Sequence, residues 1–160
     1  IASINGVAAG GGLDLALACD IRVGGESCKM GETYCKIGLL PGGGGAWFLP
    51  RIVGKSMALE MLLSGKFIDA DEAKRIGLIN HVWPDTELVD QTRLLASSIA
   101  RNPPLSVSLI KQAVNDGTNS DLITSLDLIS SHIAIAKNGP DHIEAINAFK
   151  EKREGSYVGF

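Results

Sequence analysis

A run of three glycines, Gly10 to Gly12, separates a short apolar segment from a stretch of helix-forming residues that contains Asp14. Backbone N–H groups at the start of a helix have no intrahelical acceptor, and glycines let a ligand approach them closely. Such a turn suits an anion, including a transient oxyanion. Two other interpretations are a nucleotide phosphate loop and glycines that only allow a helix to pack closely on a strand.

Spacing argues against the phosphate loop. Leu13 and Leu15 stand where the pattern G-x-G-x-x-G would need glycine. The segment GKS at 54–56 resembles the end of a Walker A loop, but Leu49 occupies its required first glycine position. His81, His132 and His142 are also too far apart in sequence to show metal-ligand spacing. We therefore predict neither a nucleotide loop nor a metal site.

Asp14 is the only ionisable residue between Ile1 and Cys19, and it falls in the first turn of a helix that is apolar on all sides. A buried carboxylate without partners is costly, so partners are expected. They could be the backbone N–H groups of the helix start, which is a structural role. Asp14 could equally act as an acid or base at the oxyanion site. Burial alone does not choose between the two.

The elements that would position these residues alternate between strand and helix. The pattern predicts a strand over 1–5, a glycine and alanine turn over 6–12, a buried helix over 13–19, and strands over 20–24 and 28–31. A loop over 32–38 and a second glycine cluster over 41–45 follow. Helices are predicted over 57–64, 69–76, 87–100, 105–114, 122–136 and 140–154, with a strand over 79–83. Gly65 is the expected stop of one helix, and Asp69 with Glu72 the capping pair of the next.

Composition narrows the classes of protein. The chain has 160 residues, 45% of them apolar, and a net charge of −3 with scattered Lys and Arg. We therefore expect no nucleic-acid surface and no membrane partner. Three cysteines without a CxxC pair favour a reducing, cytoplasmic compartment. Because the first residues read as a buried strand, we also expect that an N-terminal part is missing.

Five segments closely resemble the crotonase superfamily, the enoyl-CoA hydratase/isomerase family. They are NGVAAGGGLDLALACDIR at 5–22, KIGLLPGGGG at 36–45, LPRIVG at 49–54, DEAKRIGLIN at 71–80 and AFKEKR at 148–153. The resemblance covers nearly the whole chain. It implies an α/β fold, a crotonase-like spiral of ββα units followed by C-terminal trimerisation helices. On this basis residues 1–84 belong to the core, and residues 85–160 to a helical oligomerisation region.

The resemblance also implies a site. Gly11 matches one of two backbone donors that bind a thioester oxygen, the other lying upstream of Ile1. Asp14 matches the first of two catalytic glutamates, as a shorter acid, and Tyr34 stands at the second. Glu32, two residues earlier, could reach the same space, although a solvated loop residue is the simpler expectation. In the catalytic reading Asp14 moves a proton, and Glu32 or Tyr34 assists. Tyr34 could instead only fill the acyl pocket.

Further residues are assigned to substrate and CoA binding. Gly10 and Gly12 flank the oxyanion donor; Leu39 precedes the second glycine cluster, Pro41 opens it and Trp47 follows it. Phe149 matches a position that lines the pocket, and Lys152 one that contacts a CoA phosphate. We expect no cofactor, with coenzyme A present only as part of the substrate. Leu39, Leu40, Trp47 and Phe48 are otherwise interpreted as core residues.

The implied activity is stabilisation of a thioester enolate, with hydration of a 2-enoyl-CoA as the first expectation. Tyr34 is not a carboxylate, and a single carboxylate is enough to shuttle a proton. Double-bond isomerisation with Asp14 as the single base therefore remains an alternative. A second alternative is a crotonase-fold protein that binds acyl-CoA or a partner without catalysis. The resemblance further implies a homotrimer or a dimer of trimers.

Overall fold

The computed structural model describes residues 1–159 and opens with two successive ββα units. The first consists of β1 (Ala2–Ile4), β2 (Val7–Ala9) and α1 (Gly11–Leu17). The second consists of β3 (Arg22–Gly25), β4 (Lys29–Gly31), a short 3-10 helix (Tyr34–Ile37) and α2 (Gly45–Val53). The predicted ββα organisation is therefore confirmed.

Equivalent strands of the two units pair in parallel, and this builds two separate small sheets. β1 pairs with β3, and β2 pairs with β4 with Ala9 opposite Gly31. β6 (His81–Trp83) completes the first sheet in parallel, and β5 (Ile68–Asp69) the second in antiparallel orientation. Because β2 and β4 run side by side, the residues that follow them emerge at the same edge of the sheet.

α3 (Lys55–Ser64) and α4 (Ala70–Arg75) complete the elements around these sheets. Gly65 ends α3 in the left-handed conformation with φ of 57°, as predicted, since a glycine adopts it without a steric penalty. The Asp69 side chain accepts a hydrogen bond from the Glu72 N–H at 2.9 Å, which confirms the predicted N-cap. The largest fully buried apolar side chains of this part are Leu13, Val23, Cys28, Met30, Leu49, Met61, Leu78, Ile79 and Leu88.

The chain divides into two compact units, Ile1–Leu94 and a second that begins at Leu95. The helices of the C-terminal part are α5 (Leu88–Ala100), α6 (Pro104–Gly117), α7 (Leu122–Lys137) and α8 (Pro140–Glu151). In the second unit α6 packs against α7, and α7 contacts α8. The expected division into a core over 1–84 and an oligomerisation region over 85–160 concerns function and stays a prediction.

Three local expectations were wrong. Residues 7–9 form β2 rather than part of a turn, because parallel pairing with β4 outweighs the low strand preference of alanine. α2 was not assigned, since Pro50 lies inside it and removes one backbone donor. Leu39, Leu40 and Trp47 were expected in the core, but all three are exposed and only Leu49 of that neighbourhood is fully buried.

Candidate active site

Asp14 is a buried carboxylate with two hydrogen-bond donors on one of its oxygens. It lies in the first turn of α1 and is 2% exposed, with Leu13 and Leu17 buried beside it. Its Oδ2 accepts a hydrogen bond from the Tyr34 hydroxyl at 2.8 Å and one from the Gly43 N–H at 3.1 Å. Its Oδ1 is buried and has no partner among the described residues. Among the described residues, the one backbone N–H that donates to this carboxylate is that of Gly43, outside α1, so the structural role in which the N–H groups of the helix start satisfy it is not realised.

Glu32 is fully buried at 0% exposure, so the expectation of a solvated loop residue was wrong. It follows β4 directly, and β4 lies beside β2, which leads into α1. The pairing of Ala9 with Gly31 therefore carries Glu32 to the neighbourhood of Asp14. Neither oxygen of Glu32 has a hydrogen-bond partner in the part of the chain that the structure describes.

The absence of a side chain at Gly45 leaves room for both carboxyl groups. A Cβ built there would contact Oδ1 of Asp14 and would lie 2.7 Å from Oε1 of Glu32, closer than real Cβ atoms come. The two oxygens without partners therefore point at one small space beside the first residue of α2. At Gly43 a Cβ would lie 2.7 Å from Oδ2 of Asp14. Both glycines are thus needed for these acids to fit.

The environment of Glu32 raises its pKa to about 7. Burial is the larger cause, because it disfavours the charged form, and the nearby charge of Asp14 adds to it. Glu32 thus differs from an ordinary surface glutamate, which is fully ionised at neutral pH.

Tyr34 closes the site from the 3-10 helix. Its ring lies 3.4 Å from a Cβ built at Gly10, and its hydroxyl 3.5 Å from one built at Gly11. The hydrogen bond to Asp14 raises the pKa of Tyr34, and burial and the charges of Asp14 and Glu32 raise it further. The phenol therefore keeps its proton at neutral pH and acts as a donor.

The first glycine turn holds the remaining predicted residues of this site. Gly10 is buried with φ of 50°, a conformation that favours glycine, while Gly11 and Gly12 are exposed. Among residues 1–159, no backbone carbonyl accepts from the N–H of Gly11, which stands at the start of α1. The structure therefore brings Gly11, Asp14 and Tyr34 together, and it adds Glu32, for which a solvated position was the simpler expectation.

The predicted binding residues are more dispersed. Leu39 and Trp47 are exposed and Pro41 is half-buried, all in the first unit. The Arg51 guanidinium lies 3.9 Å above the centre of the Trp47 ring, a cation–π contact. Phe149 and Lys152 belong to α8 in the second unit, where Phe149 is 84% exposed and Lys152 ends the helix.

Two contributors escaped the sequence reasoning. The Gly43 N–H donates to Asp14, and Gly45 supplies the space between the acids. A signal was present, because four consecutive glycines at 42–45 go beyond what a single turn requires.

Among the described residues, no group of three or more His, Cys, Asp or Glu side chains could hold a metal ion. None of the described helices has the length and apolar character needed to cross a membrane.

The family model described as "Enoyl-CoA hydratase/isomerase" matches residues 1–159. The chain belongs to this family, and the resemblance seen in its motifs is confirmed. The ββα core accordingly has the crotonase fold. The crystal structure of an enoyl-CoA hydratase from Bacillus anthracis superimposes with a TM-score of 0.97 at 39% sequence identity, covering 99% of this chain and 61% of that one.

Relatives with different names match almost equally well. Mitochondrial methylglutaconyl-CoA hydratase of Mus musculus is 42% identical over 99% of this chain and 52% of its own length. The 1,2-epoxyphenylacetyl-CoA isomerase of Escherichia coli is 38% identical over 99% of this chain and 61% of its own length. The chain thus spans about half the length of the mouse relative and about three-fifths of the bacterial one.

Proposed function

We propose that the protein processes acyl-CoA thioesters by stabilising an enolate, and that it adds water to a 2-enoyl-CoA. The observation that carries this proposal is the buried Asp14 carboxylate, held by the Tyr34 hydroxyl next to the unpaired N–H of Gly11. A base, a proton donor and an oxyanion donor thus stand together. The names of the mouse and Bacillus anthracis relatives support hydration.

The proposed steps use these groups in turn. Asp14 takes a proton from water while the water oxygen bonds to Cβ of the enoyl group. The electron pair of the double bond moves toward the thioester, whose oxygen the Gly11 N–H stabilises as an oxyanion. Tyr34 gives its proton to Cα, and Asp14 returns a proton to Tyr34 through their hydrogen bond. The net result is the addition of one water, with both side chains restored.

Isomerisation of a double bond is the second candidate. Tyr34 stands where the hydratase pattern has a second glutamate, and Asp14 alone can take a proton from one carbon and return it to another. The Escherichia coli relative is named as an isomerase, of 1,2-epoxyphenylacetyl-CoA. A binding protein without catalysis is the remaining alternative, which the experiment below also distinguishes.

We propose substrate contacts on the same basis. Gly10 and Gly12 flank the oxyanion donor, and Leu39, Pro41 and Trp47 line the acyl-CoA site. By the family resemblance, Phe149 is assigned to the lining of an acyl-CoA pocket and Lys152 to contact with a CoA phosphate. The reaction needs no cofactor beyond the coenzyme A of the substrate. A second oxyanion donor, upstream of Ile1 according to the family resemblance, completes the pair with Gly11.

A homotrimer, or a dimer of such trimers, is the proposed assembly. Its support is an apolar groove of about 230 Å³ between α6 and α7. The groove is lined by Ser106, Leu109, Ile110, Ala113, Ile129, His132, Ile133 and Ala136. The proposed compartment is the cytoplasm, supported by the free thiols of Cys19, Cys28 and Cys35.

The deciding experiment is mass spectrometry of the products that form from 2-enoyl-CoA and 3-enoyl-CoA esters, without added metal or cofactor. The protein is used as its gene encodes it. A product heavier by one water supports hydration, and an unchanged mass with a moved double bond supports isomerisation. No product from either ester, despite tight binding of the esters, would favour the binding protein.

Asp14→Asn is the first variant to measure. The amide keeps the shape of the side chain but cannot accept a proton, so we expect kcat to fall by about 100-fold or more while ester binding persists. Asp71→Asn, an exposed residue in the first turn of α4, is the matched control and should leave kcat unchanged. Near-normal turnover by Asp14→Asn would exclude Asp14 as the base.

A further inference from the structure

Asp14 and Glu32 form a pair of carboxyl groups that no cation balances. Both are buried, and neither has an ion-pair partner among residues 1–159. Within that range, the ionisable groups that act on Glu32, or that Glu32 acts on, are Asp14 of α1 and Tyr34 of the adjoining 3-10 helix. α2 contributes Gly45 at this point. Two buried negative charges without compensation are expensive, so one of the acids must be neutral.

The hydrogen bonds decide which acid carries the charge. Oδ2 of Asp14 already accepts from the Tyr34 hydroxyl and the Gly43 N–H, an arrangement suited to a carboxylate. Glu32 accepts from no donor among the described residues, so an ionised Glu32 would be buried without any compensation. Glu32 is therefore the neutral acid of the pair.

A single proton on Glu32 would give both of the unpaired oxygens, Oδ1 of Asp14 and Oε1 of Glu32, a hydrogen-bond partner. Oδ1 of Asp14 and Oε1 of Glu32 both lie at the space beside Gly45, and neither has a hydrogen-bond partner within residues 1–159. We infer that Glu32 is a positioning residue whose neutral carboxyl donates a hydrogen bond to Oδ1 of Asp14, so that the pair holds a single negative charge on Asp14. The remaining oxygen of Glu32 is then an uncharged carbonyl, whose burial costs much less than that of a carboxylate.

This inference rests on the proposed function, because it assigns Glu32 a part in holding the proposed base. Glu32 does not touch the substrate in this scheme. It fixes the orientation of Asp14 through Oδ1, the oxygen to which Tyr34 does not donate. A neutral Glu32 also keeps a second negative charge away from the charge that develops on the enolate.

The sign of the pH effect follows from the ordinary pKa of 4.5 for glutamate and the value of about 7 for Glu32. Below pH 7 the protonated form dominates and the hydrogen bond to Asp14 is present. As pH rises through about 7, Glu32 loses its proton, and a carboxylate faces Asp14 instead of a donor. We therefore expect kcat/KM to fall above about pH 7.

Glu32→Gln tests this kinetically in the protein as its gene encodes it. The amide N–H donates to the same oxygen but cannot ionise, so the variant should remain active and lose the decline above pH 7. Glu60→Gln, at an exposed glutamate paired with Lys66, is the matched control and should keep the decline. A decline that persists in Glu32→Gln, or a wild-type profile that is flat from pH 6 to pH 9, would overturn the inference.

Infrared spectroscopy detects the protonated carboxyl group of Glu32 directly and needs no enzymatic turnover. Ionised carboxylates lack the C=O stretch of a neutral carboxylic acid, so at pH 6 we expect this band in the wild type and in Glu60→Gln, and no band from this site in Glu32→Gln. The band should disappear with a midpoint near pH 7. If the band is present but no ester reacts, the proposed function fails and the shared proton stands; if the band is absent from the wild type, the inference fails.

Discussion

At the scale of single residues, Tyr34 helps to fix the orientation of the Asp14 carboxylate through a hydrogen bond. Its hydroxyl donates to the carboxylate and also lies close to Gly11, so one group is near both the proposed base and the proposed oxyanion donor. A glutamate at this position, as in the hydratase pattern, would add a third carboxyl group to a region that already holds two. Tyrosine avoids that extra charge and still supplies a proton, because it remains protonated at neutral pH.

Tyr34→Phe should therefore lower kcat/KM by about tenfold or more, since a hydrogen bond to a charged group contributes about 1.5–3 kcal/mol. The measurement is steady-state kinetics on whichever ester the protein converts. Tyr157→Phe is the matched control, because the Tyr157 hydroxyl makes no hydrogen bond among residues 1–159. Equal kinetics for the two variants would show that Tyr34 only fills the pocket.

The sequence singled out Asp14 and Tyr34, which the structure joins by a hydrogen bond, and it singled out Glu32 only by proximity. Asp14 was visible because it is the only ionisable residue in an apolar stretch, and Tyr34 because of its place in a family motif. The burial of Glu32 was not visible, since it depends on the pairing of β2 with β4, a contact between segments about 20 residues apart. Local sequence patterns carry no information about such a pairing.

At the scale of elements, the second glycine cluster leaves room for the carboxyl groups of Asp14 and Glu32 at the start of α2. Gly43 and Gly45 face the carboxyl groups, whereas a Cβ at Gly42 would meet nothing within 4 Å. Four adjacent glycines therefore differ in what they contribute. The helix that follows them was not predicted, because glycines at its start and Pro50 inside it both lower helix propensity.

Gly45→Ala tests whether the absence of a side chain at this position is needed to accommodate the two carboxyl groups. Alanine at a helical position normally stabilises a protein relative to glycine, so a loss of stability can only come from the contact with Asp14 and Glu32. We expect a loss of about 1–3 kcal/mol in the free energy of unfolding by urea, together with reduced turnover.

Gly42→Ala is the control, with the same change of residue in the same cluster and open space around it. It should alter the free energy of unfolding by less than about 1 kcal/mol. If both variants behave alike, the glycines matter for chain flexibility and not for the room that they leave to the acids.

At the scale of the whole molecule, the second unit leaves many apolar side chains exposed on its helices. Ile110, Ile133 and Phe149 are examples, each more than half exposed. Single exposed apolar residues are common, but a continuous apolar groove indicates a contact surface. The helical pattern predicted the helices themselves, while the faces that remain uncovered only became evident from the structure.

Light scattering during size-exclusion chromatography should give three or six times the chain mass, if the proposed assembly forms. Ile133→Asp places a charge in the groove and should shift the mass toward that of one chain. Ile135→Asp changes an exposed isoleucine on the same helix outside the groove, so its mass should not change. A wild-type mass of a single chain would contradict the assembly.

The site residues lie close together in the sequence, and this affects how such a site can be exchanged between proteins. Gly11, Asp14, Glu32, Tyr34, Gly43 and Gly45 all come from one continuous stretch of the chain, residues 11–45. A single gene segment therefore encodes both acids, their donors and the space between them. Recombination at the ends of that segment would transfer the two acids, their hydrogen-bond donors and the space between them into a related scaffold in one event.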